Sequence, residues 1–154
     1  MAATETDAYI AIERLQRAYA DISTRGAWDE VPRLLTPEAH ITFDTHSGTP
    51  LEIHGADEFG AVGAKMTHVF SFYEYIPVNF VVTFSTADSA RGRSYSLEVA
   101  EDAKSGAWME FYGTYEDGYA LHEGTWRFSR RHYRTYGRRT GGRLESYPLP
   151  WRRP

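Results

Sequence analysis

The stretch 107–136, AWMEFYGTYEDGYALHEGTWRFSRRHYRTY, restricts the fold more than any other part of the chain. It holds two runs of alternating apolar and polar residues joined by a polar turn, the pattern of an antiparallel hairpin. On the first arm Met109, Phe111, Gly113 and Tyr115 share a face. On the second, Trp126, Phe128, Arg130 and His132 share a face, so an apolar stripe runs into a cation and a titratable ring. Such a strand either lines a cavity or is an edge strand whose last residues reach water.

The rest of the chain reads in order around this hairpin. Residues 7–24 form an amphipathic helix with Ile12, Leu15, Tyr19 and Ile22 on one stripe. Tyr19 brings the only polar tip to that stripe, so its hydroxyl needs a partner inside. Asp21 falls on the solvated side, in reach of Arg17 at i,i+4. Gly26 ends the helix and residues 28–35 make a short second one. In residues 39–46, Ile41 and Phe43 alternate with His40, Thr42, Asp44 and His46, as in a strand. Residues 56–66 form a third helix, with Asp57 and Glu58 in its first turn. The segments 67–84 and 90–102 are extended, with Tyr95, Leu97 and Val99 on one face of the latter.

Composition narrows the function. Eleven Tyr, eight Phe and four Trp in 154 residues suit an aromatic cavity and equally suit a β-rich core. With no cysteine, a disulfide framework, a thiolate nucleophile and a cysteine metal site are all excluded. His40 and His46 share a strand face but stand roughly 20 Å apart at 3.3 Å per residue, too far for one ion. No metal is expected. GxGxxG, GxxxxGK[ST] and GxSxG are absent, so no nucleotide cofactor or serine elbow is expected. No signal peptide or membrane span is read, which predicts a cytoplasmic protein. Residues 1–126 carry a charge of −12 and residues 127–154 carry +8. The acidic body speaks against nucleic acid, and the Arg-rich tail suits a charge match within or between subunits.

Several motifs resemble the SnoaL-like, scytalone dehydratase-like members of the cone-fold superfamily named after nuclear transport factor two. They are Gly113, Tyr115 and Asp117 followed by Gly124–Phe128 and an Arg pair; the run from Tyr19 through Gly26 to Trp28-Asp29; and I-H-G-A-D-E-F at 53–59. The resemblance implies an α+β fold: three N-terminal helices packed in a strongly curved, mostly antiparallel mixed sheet enclosing one pocket. It covers residues 1–137, leaving 138–154 as a basic Gly/Pro-rich arm that acts as a lid or subunit contact. It also implies a homodimer or homotrimer. Relatives carry a catalytic Asp just before the first turn, where this chain has Ser23 and Thr24.

The expected function is cofactor-independent acid–base chemistry on a small hydrophobic, polyketide- or steroid-like molecule: a dehydratase (lyase), isomerase or polyketide cyclase. The alternative is a non-catalytic binding or accessory protein. Such chemistry needs a base for a carbon-bound proton and a donor for the developing oxyanion. His68 or His132 could be the base, with Asp44 as a further candidate, and Tyr19 or Tyr115 the donor. Arg130, Trp126, Phe128, Phe111 and Tyr75 are the expected substrate-binding side chains.

Overall fold

The computed structural model describes residues 4–66 and 68–151. The first helix, α1 (Glu5–Arg25), begins at a capping box in which Thr4 accepts from the Asp7 amide and Asp7 accepts from the Thr4 amide. It ends at Gly26, whose φ of 65° is the left-handed cap that stops a helix. The stripe Ile12, Leu15, Tyr19 and Ile22 is buried. Asp21 lies on the solvated side but pairs with Arg25, while Arg17 reaches Glu13 instead. The short second helix is a 3-10 turn, Trp28–Leu34, holding Pro32; the third, α2, spans Ala56–Met66.

Seven strands follow and interleave: β1 (Leu35–Asp44), β2 (Leu51–His54), β3 (Phe70–Phe84), β4 (Ser89–Asp102), β5 (Trp108–His122), β6 (Thr125–Thr140) and β7 (Arg143–Ser146). They form one mixed sheet in the order β2-β1-β6-β5-β4-β3, with β7 on the far end of β6. The β1–β6 pairing is parallel and the others are antiparallel. The sheet is not closed. One face turns toward the helices and carries the core: Ile41 and Ile53 from β1 and β2, Tyr75 from β3, Tyr115 and Tyr119 from β5, Phe128 and Tyr133 from β6. The class is α+β, as the sequence implies.

The hairpin forms as read, β5 and β6 meeting at a two-residue turn. Glu123 and Gly124 both take positive φ, 49° and 76°, the pairing whose twist suits a tight hairpin. Two extra residues in β6, Ser129 and Tyr136, interrupt its pairing with β5, and the first decides what faces the helices. Gly118 pairs with Arg130 but Tyr119 pairs with Phe128, so Ser129 is an extra residue in β6. This bulge reverses the facing of the residues that follow it, as far as the second bulge at Tyr136. Trp126 and Phe128 point inward, but Arg131, Tyr133 and Thr135 continue the inner face, while Arg130 and His132 turn outward.

The arm from 138 onward is more regular than its Gly/Pro content suggests. β6 runs through to Thr140 and β7 folds back on it. Beyond it Trp151 donates from Nε1 to the Tyr95 hydroxyl at 3.2 Å, under the Arg93 guanidinium. Tyr95 lies on the outer face, so this anchor holds the arm away from the helices.

Candidate functional site

Between the helices and the inner face of the sheet lies a cavity of about 590 Å³. Its walls are mainly apolar, with Trp28 from the 3-10 turn, Phe43 from β1, Phe59 and Val62 from α2, Phe70 from β3 and Phe111 from β5. The exposed side chains Leu51 and Met66 reach its mouth.

A polar cluster interrupts this lining. Glu98 on β4 points in, accepting from the Tyr73 hydroxyl at 2.9 Å and from Ser96 Oγ at 3.2 Å. Tyr133 brings a third hydroxyl to the same carboxylate. Burial pushes the Glu98 carboxyl above the ordinary carboxylate range, and the surrounding hydroxyls and the Arg131 charge only partly oppose it. The result is a carboxylate of enhanced basicity in an apolar chamber.

The Tyr19 and Tyr115 hydroxyls, 3.5 Å apart, form a second polar group on the same cavity. Tyr19 comes from the buried stripe of α1 and Tyr115 from the inner face of β5, so two distant segments build the pair. Burial raises both phenols above their ordinary values and keeps them protonated, ready to donate. Ser23, one helical turn after Tyr19, adds a fully buried hydroxyl to the wall. Thr24 beside it accepts the Tyr75 amide at 3.0 Å.

Behind the tyrosines lies a buried ion pair. Arg131 Nε donates to Asp117 Oδ1 at 2.9 Å and Nη2 to Oδ2 at 3.2 Å, with the side chains 1% and 0% exposed. Gln16 donates to Asp117 Oδ2 at 2.7 Å and accepts from Arg131 Nη2 at 3.3 Å, and the Tyr119 hydroxyl donates to the same Oδ2. Burial works against the guanidinium charge, but Asp117 together with the Tyr19, Tyr115 and Tyr75 side chains outweighs it and holds the Arg131 pKa above its ordinary value.

The structure therefore brings together three of the side chains expected from sequence: Tyr19, Tyr115 and Phe111 line the cavity. It places the others elsewhere. His68 is exposed in the turn before β3, and Asp44 lies on the outer face near Arg134. Because of the Ser129 bulge, Arg130 and His132 also face outward. There burial and the Arg134 and Arg130 charges hold His132 below its ordinary pKa. Trp126, Phe128 and Tyr75 are buried core residues that do not line this cavity. Tyr75 instead packs edge-on against Tyr19.

Glu98 was not legible in this way. On β4 the apolar alternation Tyr95, Leu97, Val99 marks the outer face, and Ser94, Ser96, Glu98 and Ala100 face in. A strand lining a void carries small residues there, so the run Ser-x-Ser-x-Glu was the available signal. No group of three or more His, Cys, Asp or Glu side chains suited to a metal ion occurs among the described residues. Nor is any helix among them long and apolar enough to cross a membrane.

A mixed, curved sheet folded over three helices, with acidic and phenolic groups inside an apolar chamber, defines a class of α+β pocket proteins. Within that class the chain belongs to the SnoaL-like domain family, which residues 4–132 match. Solved structures agree on the fold. A putative scytalone dehydratase from Novosphingobium aromaticivorans superposes with a TM-score of 0.80 at 20% identity, covering 94% of this chain and 95% of the other. LinA superposes with a TM-score of 0.79 at 17% identity, covering 92% and 95%. The hexachlorocyclohexane dehydrochlorinase LinA-type3 from Novosphingobium barchaimii gives 0.78 at 14% identity, again covering 92% and 95%. These are the cone fold of the superfamily named after nuclear transport factor two. At such identities the likeness establishes fold alone. Among curated proteins nothing matches.

Proposed function

We propose that this protein is a cofactor-independent acid–base enzyme that moves a carbon-bound proton in a small, largely apolar carbonyl compound. The observation that carries this reading is a carboxylate of raised basicity sharing one apolar cavity with a phenolic donor pair. In the proposed step Glu98 takes a proton from a carbon next to the ligand's carbonyl. The C–H bond breaks, a Glu98 O–H bond forms, and the electron pair moves through the new C=C bond onto the carbonyl oxygen. The Tyr19–Tyr115 pair donates to that oxygen. Return of the proton to another carbon gives an isomerisation; loss of a β-hydroxyl, which takes the proton back as water, gives a dehydration. The apolar walls support both outcomes by excluding competing water. Glu98 here fills the role that sequence resemblance would give to an acid at Ser23 or Thr24.

A deuterium-exchange assay tests the reading whatever the eventual product is. Protein in D₂O is incubated with 1-tetralone, 2-tetralone and bulkier cyclic ketones, and proton loss at the α-carbon is followed by NMR. Exchange with at least one ketone is expected, falling by about 10²-fold or more in Glu98→Gln, the usual weight of a general base. If ketones bind in the cavity yet none exchanges, the protein is a binding or accessory module and the enzymatic reading is wrong.

A further inference from the structure

Arg131 has no place in the step above, yet it is the largest fully buried side chain described. A buried ion pair is often no more stable than apolar residues of the same volume, so its presence beside the cavity calls for a reason. Its position supplies one. The guanidinium carbon sits 4.0 Å from the Tyr19 ring centre, 4.1 Å from that of Tyr115 and 4.0 Å from that of Phe128. Both cavity tyrosines therefore rest on one cation. Asp117 and Gln16 take its Nε and Nη2 edge, while the buried Nη1 has no acceptor among the described residues.

We propose that Arg131 is a positioning residue which sets the donor strength of the Tyr19–Tyr115 pair, making that end of the cavity a site for an anionic oxygen, an enolate or a phenolate. The proposal rests on the acid–base reading and adds to it the charge state that the site prefers. The physical basis is direct. A phenol donating to an anion gains negative character on its own oxygen, and a cation stacked on its ring stabilises that charge strongly where water is excluded. The same cation opposes the burial-driven rise in the pKa of both tyrosines. Arg131 does not line the cavity, so it acts through the rings and touches no ligand. The pairing with Asp117 and Gln16 holds the guanidinium within about 4 Å of both ring centres, although the two rings stand 74° to each other.

The test uses 4-nitrophenol and substituted phenols of graded acidity as oxygen probes, with absorbance distinguishing phenol from phenolate. The proteins are wild type, the charge-neutral double variant Arg131→Gln/Asp117→Asn and the charge-retaining Arg131→Lys, each checked for folding by circular dichroism. In wild type, bound phenols should ionise at lower pH than free ones, and affinity should rise with phenol acidity. The double variant should still bind neutral phenols but lose roughly tenfold or more of the preference for phenolate, about one unit in the bound ligand's ionisation. Arg131→Lys should keep most of it. Equal preference in wild type and double variant overturns the proposal, as does an Arg131→Lys protein that loses as much as the double, since packing would then explain the effect. Failure of every phenol to bind overturns it too. The ketone exchange and its dependence on Glu98 do not need the phenol preference, so the acid–base reading survives or fails by its own assay.

Discussion

Replacing Asp117 by asparagine tests how tightly the core is wired to the site. Among the described residues Asp117 is the sole carboxylate bonded to Arg131, through two contacts at 2.9 and 3.2 Å, and both side chains are shut off from water. The amide would keep the shape but leave a buried guanidinium without a counter-charge, which costs about 3–5 kcal/mol in comparable pairs. A domain of this size is held by about 5–15 kcal/mol, so the single change removes a large share of stability. At about 2–4 °C per kcal/mol for this length, the melting midpoint should drop by roughly 6–20 °C. Arg131→Gln should cost a similar amount by stranding the carboxylate, although Gln16 and Tyr119 still donate to it. The double variant removes both charges together and should cost well under the sum, leaving a coupling of at least about 2 kcal/mol in a urea-denaturation cycle. A single cost below about 1 kcal/mol, or additive singles, would refute the picture of a closed, mutually dependent pair.

Three further outcomes follow from the site and its sheet. Burial holds Glu98 above its ordinary value of 4.5, so the native state keeps a proton that the unfolded chain releases. Stability from this group is therefore fully present below pH 4.5 and lost as pH climbs through the raised value. Glu98→Gln should abolish that decline and be the more stable protein near pH 8 while losing exchange activity, a trade of function for stability read by comparing thermal melts across pH. Gly113→Ala would drive a methyl into the Tyr133 ring and to 2.7 Å from Ser96 Oγ, both part of the Glu98 surround. We expect a loss of about 1–3 kcal/mol and weaker ketone binding, measured by denaturation and calorimetry. His132 should titrate below its ordinary 6.5 in an NMR pH series and stay unmoved when a cavity ligand is added, because it faces the opposite side of the sheet. A ligand-dependent shift at His132 would contradict the bulge at Ser129.

Local signals in the chain were enough to set the elements and most of their order. They include the three-and-four spacing of Ile12, Leu15, Tyr19 and Ile22, the stop at Gly26, and the alternation on both sides of the Glu123-Gly124 turn. Periodicity also put Tyr19 on the buried stripe of α1 and grouped Phe111 with Tyr115 on one face of β5, because nothing interrupts the pattern that carries them. Which titratable groups reach the cavity was settled at the level of strand pairing and sheet curvature. A single extra residue at Ser129, set by how β6 pairs with β5 across the hairpin, exchanges Arg130 and His132 for Arg131 and Tyr133 on the inner face. On β4 alternation is intact but its meaning is reversed. The apolar side of Tyr95, Leu97 and Val99 is the outer one, partly covered by Trp151 of the arm, and the small polar side faces the void. Period-two alternation separates two faces without naming the inner one, and the empty space that makes Glu98 a candidate base exists only once the sheet has wrapped over the helices.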